Sequence, residues 1–206
     1  ISYGNRCQWS GVRSQSGLEL LHSRNTAWRS DDLSYARAAH QTGSVGTQPA
    51  FAITRLKISH LQALGSGWQT RFQAGMQYSA HPLIVGEQWG LSGTDAVRGF
   101  VEREVSRDVG WSGQLELYTP NQNSAGSLPW EDVRGVLFVD AGAGRFVRQG
   151  PELDDHAIAL SSWGLGLRGS HQQRWFLKAD LAQVIQGTAL SPRRSWRAHV
   201  GLAASF

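Results

Sequence analysis

Apolar and polar residues alternate with a period of two along much of this chain. From Gly67 to Tyr78 one parity carries Trp68, Thr70, Phe72, Ala74, Met76 and Tyr78, and the other Gln69, Arg71, Gln73, Gly75 and Gln77. Successive side chains of a strand leave opposite faces, so this segment reads as a strand with one greasy and one wet face. Three later segments obey the same rule. Trp163, Leu165 and Leu167 alternate with Ser162, Gly164, Gly166 and Arg168, and Trp175, Leu177, Ala179 and Leu181 with Arg174, Phe176, Lys178 and Asp180. Trp196, Ala198, Val200, Leu202, Ala204 and Phe206 alternate with Arg197, His199, Gly201, Ala203 and Ser205.

Further strands are expected at Phe51 to Leu61, Ser112 to Thr119 and Val133 to Ala141, with weaker candidates at Ser2 to Ser10, Gly17 to Arg24 and Leu33 to His40. Gly65-Ser66-Gly67, the stretch Pro120 to Gly126, and Gly150-Pro151-Glu152 leading to Asp154-Asp155 punctuate them as turns. No helical period appears and no internal boundary divides the chain, which reads as one all-β unit of about eight to ten strands. His81 to Gly110 has turn residues throughout and no sustained alternation, so a functional loop is expected at about 81–110.

Alternation alone does not decide between water and lipid, because a soluble sandwich alternates too. Composition shifts the balance. Nine tryptophans, 24 glycines, one methionine and one cysteine among 206 residues argue against a helical bundle. Trp68, Trp111, Trp163, Trp175 and Trp196 fall at or near strand beginnings, and Tyr78, Tyr118 and Phe206 at strand ends, as aromatic girdles at two membrane interfaces would. The mean hydropathy of −0.34 and a longest apolar run of Val136 to Val139 exclude a transmembrane helix. In lipid a sheet must close, which makes an antiparallel transmembrane β-barrel, or part of one, the expected fold.

The formal charge of +4 is spread without a basic run, so nucleic acid is not an expected partner. Cys7 stands alone, which excludes an intrachain disulfide and a zinc cluster. Asp154 and Asp155 lack the further ligands that calcium needs, and Glu102, Arg103 and Glu104 read as solvated loop charges. Neither metal nor cofactor is expected. The chain opens on Ile1 without a charged-then-apolar leader, so an upstream part is expected.

The stretch Gly86 to Phe100, which contains Gln88, Trp89, Gly90, Gly93 and the core Val97-Arg98-Gly99-Phe100, resembles the lid-loop signature of the two-partner secretion transporters of the outer membrane, the FhaC and ShlB type. Leu137-Phe138-Val139-Asp140-Ala141-Gly142 resembles that family's second signature, and the strand ending on Phe206 its outer-membrane sorting signal. Together these cover roughly residues 50 to 206. The resemblance implies the C-terminal half of a 16-stranded barrel in the outer membrane of a Gram-negative bacterium, preceded by two POTRA domains and a plug helix outside this chain. It also implies that the lid loop folds into the lumen, where Arg98 meets Asp140.

Parity supports that pairing independently. Asp140 shares a face with Val136 and Phe138, opposite Leu137, Val139 and Ala141, and an ionised aspartate has no place against lipid. Gly99 would turn the backbone sharply beside the arginine, Phe100 would pack on the wall, and Gln88, Trp89, Gly90 and Gly93 would shape the loop. Arg71, Arg168, Arg174, Lys178 and Arg197 are expected to line a polar lumen.

The function so implied is export, and in some cases activation, of a large unfolded partner exoprotein, with outer-membrane lipid, lipopolysaccharide and the barrel assembly machinery as further partners. No phosphate loop is present. A barrel-assembly factor of the BamA-like branch shares the Val-Arg-Gly-Phe core and stays open as an alternative. So do a small barrel enzyme built on His60, His199, Ser59 and Ser205, for which no nucleophile turn is visible, and a soluble β-sandwich.

Overall fold

Runs that alternate at period two and are broken by glycine and proline turns form strands, and in the computed structural model they build one antiparallel meander. Residues 1–26, 47, 50–123, 130–147, 157–172 and 174–205 are described. The strands are β1 (Ser2–Ser10), β2 (Ser14–Asn25), β3 (Phe51–Ala63), β4 (Gln69–Ser79), β5 (Trp89–Gly90), β6 (Ser106–Arg107), β7 (Val109–Tyr118), β8 (Asp132–Arg145), β9 (Ile158–His171), β10 (Trp175–Gln186) and β11 (Trp196–Ala204). Nine of them form a single sheet in the order β1-β2-β3-β4-β7-β8-β9-β10-β11, and β5 and β6 pair as a separate short ribbon. Among the described residues there is no α-helix, only 3-10 turns at Gly65–Gly67 and Val85–Glu87.

Every expected strand that falls on described residues is present, including the two weaker ones at the start of the chain; the candidate at Leu33 to His40 lies outside them. The sheet's strands run from 9 to 14 residues, the length that a tilted membrane strand needs.

The polarity of this sheet is the reverse of a water-soluble one. On β8, Val136 and Phe138 are 3% and 1% exposed, whereas Leu137 and Val139 are 46% and 51% exposed. On β4 the polar Gln77 and Ser79 are buried while Phe72, Met76 and Tyr78 are exposed. Trp111 and Leu115 on β7, Leu165 and Leu167 on β9, and Val200 and Leu202 on β11 extend the greasy outer surface. Such a continuous apolar surface is costly in water and suited to hydrocarbon.

The connections after β1, β3, β7 and β9 leave from one rim, and those after β2, β4, β8 and β10 from the other. Exposed Trp9, Trp68 and Trp175 mark the first rim, and exposed Tyr78, Trp111 and Trp196 the second. The ten residue-to-residue steps from Trp68 to Tyr78 would span about 33 Å along a strand, or roughly 25 Å across a bilayer at barrel tilt, which matches the apolar band of such proteins.

Three expectations need correction. Tyr118 faces inward and donates its hydroxyl to Glu116 at 2.6 Å, because its parity is that of Ser112, Gln114 and Glu116 rather than of Trp111. Arg174 sits in the turn before β10, where its N–H reaches the His171 carbonyl, because β10 begins only at Trp175. Trp163 lies inside β9 rather than at its start, since the strand begins at Ile158.

Candidate functional site

Between β4 and β7 the chain does not simply turn. Residues 80–108 fold back over the inner face of the sheet as a small body with its own apolar core. Leu91, Val97, Phe100 and Val105 are buried against Leu160 of β9 and Val184 of β10, with Trp89 and Ile158 packed beside them. Backbone pairings hold this loop in shape: Gly93 N–H to Val97 O, Val97 N–H to Leu91 O, Leu91 N–H to Val105 O, and the β5–β6 ribbon at its neck.

The base is pinned by polar groups. Asp108, buried just before β7, accepts from Leu83 N–H at 3.0 Å, Gln88 Nε2 at 3.1 Å and Val147 N–H at 2.8 Å. Burial pushes its carboxyl above the usual range, against the pull of those donors. Gln77 of β4 donates to the carbonyls of Glu87 and Asp108 and accepts from Arg55 at 2.7 Å. Trp89 lies over Gly75 of β4, where a Cβ would come within 2.7 Å of the ring. Gly90 faces the Arg103 side chain, which donates to the carbonyls of Val85 and Gln88. Gly93 has φ +122, and the Glu102 carboxylate that accepts from Thr94 N–H occupies the space a Cβ would need.

At the tip, Arg98 is 0% exposed. Its Nε and Nη2 donate to the two oxygens of Asp140 on β8, both at 2.7 Å, and its backbone N–H reaches the same carboxylate at 3.1 Å. Its Nη1 lies 2.7 Å from Glu116 on β7 and 3.5 Å from Asp180 on β10. The guanidinium carbon sits 3.5 Å from the centre of the Phe138 ring. Arg98 is therefore clasped by three carboxylates and one aromatic face. Burial alone would loosen its proton, but Asp140, Glu116 and Asp180 more than reverse this, so the guanidinium holds its charge firmly.

The wall supplies its own countercharges. Arg168 of β9 bridges Asp180 at 2.7 Å and Glu116 at 3.2 Å, and Lys178 of β10 donates to the Thr94 carbonyl of the lid at 3.2 Å. Gln114 donates to the Ala96 carbonyl at 2.7 Å. Removing one partner from so buried an ionic cluster costs about 3–5 kcal/mol, because the remaining charges are stranded.

Gly99, at φ +96, turns the chain away from the arginine, and its N–H donates to Nε2 of His199 on β11 at 3.1 Å. Gly142 of β8 is glycine for steric reasons: a Cβ there would lie 2.9 Å from the Trp111 carbonyl and 3.1 Å from Val97. Phe100 fills the lid core against β9 and β10. Phe206 lies outside the described residues.

Glu104, read from sequence as a solvated charge, is a docking contact instead. It accepts from the hydroxyls of Thr188 and, at 2.6 Å, Ser191 in the β10–β11 connection, and from Val101 N–H at 3.1 Å. Burial raises its carboxyl, but these donors prevail and hold it below the usual range. Its partners lie more than eighty residues away in the chain, and no local pattern announces them. Glu116 and Asp180 were missed for a weaker reason. The inward parity that singles out Asp140 applies equally to Ser112, Gln114 and Glu116, and to Lys178 and Asp180.

The concave side holds about 1100 Å³ of open space bordered by the lid and by strands from β1 to β11, lined among others by Arg6, Lys57, Arg71, Arg168 and Lys178 together with Glu19, Asp95 and Glu116. Its lining carries charges of both signs.

Comparison with known proteins fits this geometry. A family model described as haemolysin secretion/activation protein ShlB/FhaC/HecB matches residues 8–169. No curated protein sequence matches the chain. Among solved structures, CdiB from Escherichia coli superposes with a TM-score of 0.74 at 18% identity, over 100% of this chain and 36% of that one. The chain thus spans about a third of the length of that relative in fold.

Proposed function

This chain belongs to the haemolysin secretion/activation family ShlB/FhaC/HecB, and from that membership we propose that it forms the C-terminal part of an outer-membrane β-barrel that exports a large partner exoprotein. In this reading the β1 and β11 edges pair with strands outside residues 1–206, closing a 16-stranded wall, and periplasmic POTRA domains deliver the unfolded substrate. Outer-membrane lipid and lipopolysaccharide cover the apolar face, the barrel assembly machinery inserts it, and folding of the partner outside supplies the driving force.

The single observation that carries the reading is the seating of Arg98, a loop residue, on Asp140, an inward residue of a wall that is greasy on its outer side. A wall stabilised for its own sake would pair charges strand to strand, as Arg168 and Asp180 do. A contact between wall and loop tip holds a removable body in the lumen.

The test is made in the full-length transporter with Arg98→Ala and Asp140→Ala. Both should remain heat-modifiable barrels in the outer membrane while export of the partner, measured in the medium, falls by about tenfold or more, since the loss of about 3–5 kcal/mol of lid seating exceeds the roughly 1.4 kcal/mol that a tenfold change represents. Normal export by both would overturn the role of this contact in export, and no export by the wild type would overturn the transporter reading itself.

A further inference from the structure

We infer that the cage around Arg98 is a guanidinium site in its own right, occupied by an arginine of the exported chain whenever the lid swings out. This rests on the export reading above and names the chemistry by which the lumen engages its substrate.

Among the described residues, all three hydrogen bonds that Asp140 accepts come from Arg98: its backbone N–H, Nε and Nη2. Among the described residues no wall cation pairs with Asp140. Glu116 and Asp180 by contrast keep Arg168 whether or not the lid is present, with Arg71 at 4.0 Å from Glu116 and Lys178 at 3.9 Å from Asp180. Departure of the lid therefore leaves one specific vacancy, a carboxylate fork stripped of every donor.

A second group lies on the same face beside this vacancy. Ser162, directly across from Asp140 in the β8–β9 ladder, is 0% exposed, and its hydroxyl has no hydrogen-bond partner. With the lid out, the Phe138 ring also loses the cation on its face. What remains is a slot bounded by a flat aromatic face and a two-pronged carboxylate. A planar guanidinium fills both, whereas the compact, strongly hydrated ammonium of lysine can satisfy only one.

The open lumenal space comes up to the neighbours of this slot, since Glu116 and Arg168, which belong to the same ionic cluster, line it. A passing arginine can thus replace Arg98 in kind, and the cost of stranding Asp140 is avoided during lid exit. Lid opening becomes an exchange of one guanidinium for another.

The test uses the full-length transporter carrying Arg98→Ala in lipid nanodiscs, titrated calorimetrically with N-acetylarginine amide and N-acetyllysine amide. One saturable site is expected, about tenfold or more tighter for the arginine amide and lost in the Arg98→Ala/Asp140→Asn double variant. No saturable arginine binding by a barrel that keeps its heat-modifiable migration, or binding indifferent to Asp140→Asn, would sink the idea.

Wild-type transporter in planar bilayers gives an independent reading: the arginine amide should lengthen channel open times and the lysine amide should not, and equal effects overturn the proposal. Export by wild-type cells separates the two claims. Absence of export by wild-type cells overturns the export reading, and with it the exported chain as occupant. Export by the wild type without arginine binding by the Arg98→Ala variant overturns the cage alone.

Discussion

The wall and the lid bury opposite kinds of residue. On the wall, Leu137, Val139, Leu165 and Phe72 face outward while Gln77, Ser112, Glu116 and Asp140 face in. In the lid the order is the usual one, with Leu91, Val97, Phe100 and Val105 gathered inside. The two regions meet at residues that serve both: Val184 and Leu160 are inward wall positions that are apolar because the lid, and not water, covers them. What lies across each face, hydrocarbon, lumen water or the lid, therefore decides which residues the face carries.

That contrast can be broken from the lid side, and the effect should be the largest. Phe100→Ala removes a fully buried ring from the lid core, a loss of about 3–5 kcal/mol. Hydrogen exchange across 91–105 should accelerate strongly, with the strands of the wall unaffected. Equal protection in the variant would mean that the lid is held by its ionic contacts alone.

From the wall side, Val139→Arg places a charge on the outer face beside an inward Asp140. It should cost about 2–4 kcal/mol if the position lies near the bilayer midplane, read as a lower urea midpoint in lipid vesicles. An unchanged midpoint would mean that this face is not in hydrocarbon.

The smallest effect belongs to the contact between lid and terminal hairpin. Glu104→Gln retains an acceptor but loses charge, a change of about 1 kcal/mol. Because the Glu104 carboxyl is held below 4.5, its contribution is present at neutral pH and is lost as pH falls through the lowered value. Lid protection in the wild type should accordingly weaken in acid, and the variant should flatten that dependence. Asp108 works in the other direction. Its raised carboxyl favours the protonated form in the folded state, so acidification toward 3.8 relieves a cost instead of adding one.

Much of the wall was legible because its signal is local. Period two survives in β4, β9, β10 and β11 whatever the surrounding medium, and even β1 is found at Ser2–Ser10 as expected. Tyr118 shows where a short cut failed: its position at a strand end suggested a girdle, while parity with Glu116 already placed it inside. The lid was legible only as a gap in the alternation. Its inner order depends on Val184, Thr188, Ser191 and His199, which arrive some eighty to a hundred residues later. A contact between segments so far apart leaves no spacing to read.

The meander has a consequence for the order in which the protein is put together. The β1–β2, β3–β4 and β9–β10 pairings join strands linked by a short turn, but β4 and β7 must close around residues 80–108. By the logarithmic growth of loop entropy, that closure costs roughly 1.5 kcal/mol more than a five-residue hairpin does. The loop cannot repay this on its own, since Arg98 and Phe100 need β7, β8, β9 and β10, and Gly99 needs His199 on the last strand. Seating of the lid thus waits for the pairing of β7 through β11. A barrel whose terminal hairpin has not yet docked is left with an unfastened loop, and a protease supplied during biogenesis would find it there.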